Sequence, residues 1–110
     1  MNIQPFILNE LEPIFSRLIP PWQVWLYGSR ARGDHHPGSD LDLFLKHPKH
    51  ADLVFSCMED LVEALYSSAV PVPIDILDWA RTSVENRSLM AREAVLIYDP
   101  ETNGWVIPIL

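Results

Sequence analysis

The chain has 110 residues, 48% of them apolar, with fifteen Asp and Glu against eight Lys and Arg and a formal charge of −7. That is apolar material for the core of one small domain spanning 1–110, and the scattered cations argue against an exposed nucleic-acid groove, which needs clustered Lys and Arg. The start, Met1-Asn2-Ile3-Gln4-Pro5, lacks a signal peptide's basic flank, and no run approaches the ~18 apolar residues of a bilayer span, so a soluble cytoplasmic protein with no membrane association is expected.

In chain order, Ile7, Leu11, Ile14, Phe15 and Leu18 recur at helical spacing, with Pro13 in a first turn or at a kink and Pro20-Pro21 as the stop. The aromatic and β-branched run Trp22 to Tyr27 predicts a buried strand that breaks at Gly28-Ser29. Turn residues fill Asp34 to Ser39, after which Leu41, Leu43 and Leu45 alternate with Asp40, Asp42 and Phe44 in a second strand. From about Pro48 to Ser68, Val54, Met58, Leu61 and Leu65 predict an amphipathic helix. Val72 to Leu77 reads as a third strand beginning at an edge, given Pro73. Thr82 with Glu85 forms a capping box for a helix to about Ala94, and Val95 to Tyr98 adds a short last strand. Helices alternate with strands, which predicts an α/β fold: a small sheet covered mainly on one face. The sheet should be mixed, because too few residues join the first two strands for a crossover helix.

One cysteine cannot close an intramolecular disulfide, and Cys57 falls within the apolar helical pattern, which predicts a buried structural thiol. His35, His36, His47 and His50 lack Cys or Glu at ligand spacing and read as loop surface rather than a zinc site.

The chemistry concentrates between Gly28 and Leu43. Residues two apart on a strand point the same way, about 6.6 Å apart, so Asp40 and Asp42 present both carboxylates on one face while Leu41 and Leu43 bury on the other. Two like charges so placed call for a cation, and hard oxygen ligands with open positions suit Mg²⁺ shared with substrate phosphates. Upstream, Gly28-Ser29 closes a strand and opens a short helix, where free N–H groups favour an anion such as a triphosphate. Gly28 permits close backbone approach, Ser29 adds a hydroxyl donor, and Arg30 or Arg32 supplies charge. Two-metal phosphoryl transfer calls for a third carboxylate; Asp75, flanked by Ile74 and Ile76, is the first candidate and Asp78, near the strand end, the fallback. Taken singly, a D-x-D marks a solvated strand face and a Gly-Ser a turn; their order and consistent faces carry the reading.

Gly28-Ser29, ten further residues, then Asp40-Leu41-Asp42 resembles the G-S-x10-D-x-D signature of the DNA polymerase beta-like nucleotidyltransferase superfamily. Gly28-Ser29-Arg30-Ala31-Arg32-Gly33 with Ser39-Asp40-Leu41-Asp42-Leu43 is similar to its minimal nucleotidyltransferase (MNT) branch, and Ile74-Asp75-Ile76-Leu77-Asp78 fits the later acidic strand. The resemblance implies the nucleotidyltransferase fold, Ser29 on NTP phosphates, Asp40 and Asp42 on Mg²⁺ in a two-metal site, Asp75 as third acid and ATP as donor. It also implies a partner: small MNT proteins typically accompany a helical HEPN protein, often an RNase toxin, and act as antitoxins by binding it in a hetero-oligomer and attaching AMP to one of its tyrosines. The other readings are silencing of the toxin by occlusion without transfer, and nucleotidyl transfer to a small molecule or to RNA, the last disfavoured by the acidic charge. The apolar end, Trp105-Val106-Ile107-Pro108-Ile109-Leu110, reads as a docking segment or as packing on the chain's own core.

Overall fold

A computed structural model of the chain describes residues 3–102 and 104–106. The elements run α1 (Pro5–Leu18), β1 (Gln23–Tyr27), α2 (Ser29–Arg32), β2 (Leu41–Lys46), α3 (Met58–Tyr66), β3 (Ile74–Asp78), α4 (Val84–Ala91), β4 (Val95–Asp99) and β5 (Gly104–Trp105), with 3₁₀ turns at Trp79–Arg81 and Pro100–Thr102. The strands form one sheet in the order β3-β2-β1-β4-β5. Among the described residues only β2 and β3 pair in parallel; β1 is antiparallel to both β2 and β4. This is the mixed α/β sheet expected from the short link between β1 and β2, too brief for a crossover, and from the longer β2-to-β3 link, which carries α3.

Alternation divides the sheet into two faces. Val24, Leu26, Leu41, Leu43 and Leu45 are fully buried and pack with Ile7, Leu11 and Phe15 of α1 and Leu61 and Leu65 of α3 in one core cluster. Each such leucine or isoleucine contributes on the order of 1.5–3 kcal/mol by leaving water. The opposite face carries Trp25, Tyr27, Asp42 and Phe44. There Phe44 stacks on Trp25 with centroids 5.9 Å apart and tilts against Trp79 at 5.0 Å. Lys46 Nζ sits 4.7 Å from the Trp79 ring centroid, a cation–π contact that closes the aromatic half of this face. Among the described residues no helix is long and apolar enough to cross a membrane.

Three local expectations are corrected. The helix expected from Pro48 begins only at Met58, because the preceding segment is held by tertiary contacts. Phe55, 5% exposed, meets Trp22 edge-on at 5.2 Å, and its N–H donates to Asp78 Oδ2 at 2.9 Å. Cys57 consequently lies at the N-cap of α3 and is exposed, not a buried thiol. The cap of α4 is Ser83, whose Oγ accepts from Asn86 N–H, one residue beyond the expected Thr82; Thr82 Oγ1 donates instead to the Asp78 carbonyl. Pro13 lies inside α1, where Pro5 opens the first turn. Of the apolar end, 107–110 lies outside the described residues; Trp105 packs against Phe15 and Tyr98 of the core.

Asp78 is 6% exposed and also accepts from Ala80 N–H at 3.1 Å. Its removal leaves the buried Phe55 N–H without an acceptor, so Asp78→Ala should cost about 2 kcal/mol and lower the thermal midpoint by several degrees. Thermal and urea unfolding followed by circular dichroism measure this; an unchanged midpoint would show that the Phe55 loop is not pinned by this carboxylate.

Candidate functional site

Strand register assembles the acidic half of the site. Asp42 in β2 stands opposite Tyr27 in β1 and opposite Asp75 in β3, so the three side chains form a row across the sheet on the face away from the leucine core. Tyr27 Oη donates to Asp75 Oδ2 at 3.4 Å. Asp40 is exposed just ahead of β2 and has no hydrogen-bond or ion-pair partner among the described residues. Asp75 and Asp78, an odd number of residues apart, take different surroundings: Asp75 is exposed beside Asp42, and Asp78 is buried under the Phe55 loop.

Crowding of negative charge acts on Asp42 and Tyr27 in this row. Burial, then Asp75, then Asp40 push the Asp42 carboxyl above the usual carboxylate range, with Glu93 adding to the rise and Arg32 opposing it. Burial and the same pair, Asp75 and Asp42, push the Tyr27 phenol well above its ordinary value. An all-oxygen donor set under mutual repulsion fits a hard divalent cation. Among the described residues no three His, Cys, Asp or Glu side chains are grouped closely enough to hold a metal ion, so such a cation would depend on further ligands from water or a bound phosphate.

The other half is the turn between β1 and α2. Gly28 has φ +77°, a backbone conformation that favours glycine, and a Cβ there would displace the Asp42 carboxylate. Ser29 follows at the first position of α2, and neither its N–H nor its Oγ has a partner among the described residues. The turn therefore places two free donors next to the carboxylate row. After α2, Gly33 at φ +88° turns the chain into the loop to Asp40.

The two arginines diverge. Arg30 is fully buried rather than displayed in the cradle: its guanidinium donates to the Ser39 carbonyl at 3.2 and 3.1 Å, to the Pro37 carbonyl at 3.2 Å and to Gln4 Oε1 at 2.9 Å. It ties down the loop that delivers Asp40. Arg32 is exposed and bridges Asp34 at 3.1 Å and Glu93 at 3.0 Å. Glu93 also accepts from Gly28 N–H at 2.9 Å and went unnoticed in the sequence, since no local pattern connects residues 65 apart. The histidines organise turns, as in His36 Nδ1 accepting from Gly38 N–H and His47 Nδ1 accepting from Lys49 and His50 N–H. A cleft of about 230 Å³ opens between α3 and the edge strand β3, lined by Val62, Leu65, Tyr66, Val72, Ile74 and Asp75 itself.

A carboxyl whose folded pKa is raised destabilises the fold as it ionises: the penalty is absent below the unfolded pKa, near 3.9, and complete above the folded one. In chelator-treated protein, Asp42→Asn should therefore melt no lower than wild type at pH 7, and a few degrees higher if the repulsion is unscreened, with the difference vanishing below about pH 3.5. Differential scanning calorimetry across pH checks this; a variant that melts well below wild type at pH 7 would make Asp42 a structural residue.

With this geometry in place, the chain can be set beside known proteins. Its residues 8–97 match the nucleotidyltransferase domain family. It is 35% identical over 101 residues to a Haemophilus influenzae protein named probable protein adenylyltransferase MntA, covering 92% of this chain and 87% of that one. In fold it is similar to a crystal structure of a toxin–antitoxin with AMP-PNP, with TM-score 0.64 and 18% identity over 86% of this chain and 75% of the other. A mutant MntA–HpeT toxin–antitoxin structure gives TM-score 0.63 and 18% identity, with coverages of 87% and 75%. At those identities the two structures speak to the fold alone. The family match and the Haemophilus relative decide the rest: this chain belongs to the nucleotidyltransferase domain family.

Proposed function

We propose that the protein is a Mg²⁺-dependent adenylyltransferase that moves AMP from ATP onto a tyrosine of a helical HEPN-type toxin and thereby acts as its cytoplasmic antitoxin. The observation that carries the chemistry is the Asp42–Asp75 pairing directly beside the Gly28–Ser29 turn. The acceptor side of the reading is supported by the Haemophilus relative, named a protein adenylyltransferase, and by the toxin–antitoxin assemblies whose fold the chain shares. Asp40, Asp42 and Asp75 would hold Mg²⁺, which supplies charge neutralisation for the donor phosphates and the in-line transition state.

In this reading Ser29 N–H and Oγ hold the phosphates of ATP, and Arg32 adds a cation at the rim. Arg30 acts from beneath, keeping Asp40 at its place rather than touching phosphate. The acceptor tyrosine oxygen attacks the α-phosphorus, the bond from that phosphorus to the pyrophosphate oxygen breaks, and the phenolic proton passes to an Asp75 carboxylate oxygen. Tyr27 Oη, already donating to Asp75, orients that carboxylate. The acceptor approaches from the β3 edge, where Asp75 is exposed and lines the cleft beside α3. Catalysis by this arrangement is positioning and charge complementarity.

Four variants order the roles. Asp40→Asn combined with Asp42→Asn should retain the fold and abolish transfer; Asp75→Asn should impair transfer far more than Asp78→Asn does in folded protein; and Ser29→Ala should slow transfer by about ten- to a hundredfold, a loss of about 1–3 kcal/mol. Intact-mass analysis of the cognate toxin incubated with the chain, ATP and Mg²⁺ reads the product directly. An AMP-sized increment on a tyrosine is expected. Suppression of the toxin with no increment would make occlusion the mechanism, and AMP found only on small molecules would overturn the protein acceptor.

A further inference from the structure

We propose that Glu93 is a positioning residue of the nucleotide cradle: its carboxylate holds the Gly28 peptide and Arg32 in the arrangement that receives the triphosphate. The proposal rests on the reading of the Gly28–Ser29 turn as an NTP site. Glu93 Oε1 accepts from Gly28 N–H at 2.9 Å, and both carboxylate oxygens accept from Arg32 Nη1, at 3.2 and 3.0 Å. The side chain is 25% exposed, so these bonds are only partly open to water.

Sheet register explains how a residue so distant in sequence arrives there. β4 pairs antiparallel with β1, Val95 opposite Leu26. Continued outward by two residues in each direction, that pairing sets Glu93 across from Gly28. The Gly28 backbone, at φ +77° and ψ −157°, is held on its carbonyl side by Ala31 and Arg32 N–H of α2, each at 3.1 Å, and on its N–H side, among the described residues, by Glu93 alone. With Gly28 N–H turned to Glu93, the next donors along the chain, Ser29 N–H and Oγ, remain for an anion. The same carboxylate forks Arg32 at the rim of the turn, where a flexible cation would otherwise sample many rotamers.

The sign of the effect separates positioning from charge. By Coulomb's law alone, deleting a negative side chain beside a triphosphate tightens its binding. Lost affinity on truncating Glu93 therefore reports lost geometry. Titration calorimetry of the folded chain with AMP-PNP and Mg²⁺ should show Glu93→Ala weakening binding about tenfold or more. Glu93→Gln retains an acceptor for Gly28 N–H and should stay within about threefold of wild type. If Glu93→Ala fails to fold, Glu93→Asp serves: it keeps the charge but withdraws the carboxylate by one methylene, and should also weaken binding. Affinity in Glu93→Ala, or in Glu93→Asp when that is the variant measured, equal to or tighter than wild type would overturn the proposal. So would a Glu93→Gln variant as weak as Glu93→Ala. Absence of AMP-PNP binding by the wild type would overturn both this proposal and the nucleotide reading beneath it, which distinguishes the two failures.

Discussion

Parallel pairing of β2 with β3 puts Asp42 beside Asp75, and the rest of the site follows from having to accommodate two carboxylates at that spacing. In water at ~4 Å two like charges repel by about 1 kcal/mol, and by several times that where solvent is partly excluded. The fold bears this because the cost falls on one face of the sheet only. On the other, Leu41, Leu43 and Leu45 of the same strand are fully buried, so one six-residue segment supplies both the core and the chemistry. Neighbouring groups respond to the same charge. Tyr27 donates to Asp75, and Gly28 carries no side chain where Asp42 Oδ2 lies.

The cradle half is built by cations that do different work according to burial. Arg30, taken fully out of water, compensates by donating to loop carbonyls and to Gln4, and thereby fixes the path from Gly33 to Asp40. Arg32, left in solvent, is shared between Asp34 and Glu93 and remains near enough to Asp42 to oppose the rise in its pKa. A domain with few residues to spare thus uses one arginine as internal scaffold and its near neighbour as the charge at the rim. Asp75 stays exposed at the sheet edge beside the cleft against α3, which is where the proposed acceptor would reach it.

What could be read from the chain beforehand divides along the range of the interactions. The leucine–aspartate alternation of β2 and the opposite parity of Asp75 and Asp78 are local consequences of a two-residue strand period, and both were legible. The mixed sheet followed from the length of one connection. An arginine in a polar stretch reads as surface, and only the folded loop shows that the Arg30 guanidinium is enclosed. The stretch before Met58 has helical periodicity, but the Phe55 contacts with Trp22 and Asp78 override it and leave Cys57 exposed. Glu93 was invisible for the same reason: its partner is set by the β1–β4 register, which no window of sequence contains.

The role proposed for the carboxylate row is to bind a cation together with nucleotide rather than to stabilise the fold. Thermal unfolding of wild type and Asp42→Asn, each with and without Mg²⁺ plus AMP-PNP, tests this most directly. Wild type should gain several degrees when both are present, because a ligand that binds only the folded state adds RT ln(1 + [L]/Kd) to its stability, and Asp42→Asn should gain little or nothing. An equal upward shift in both proteins would place the nucleotide and its metal away from Asp42 and contradict the account.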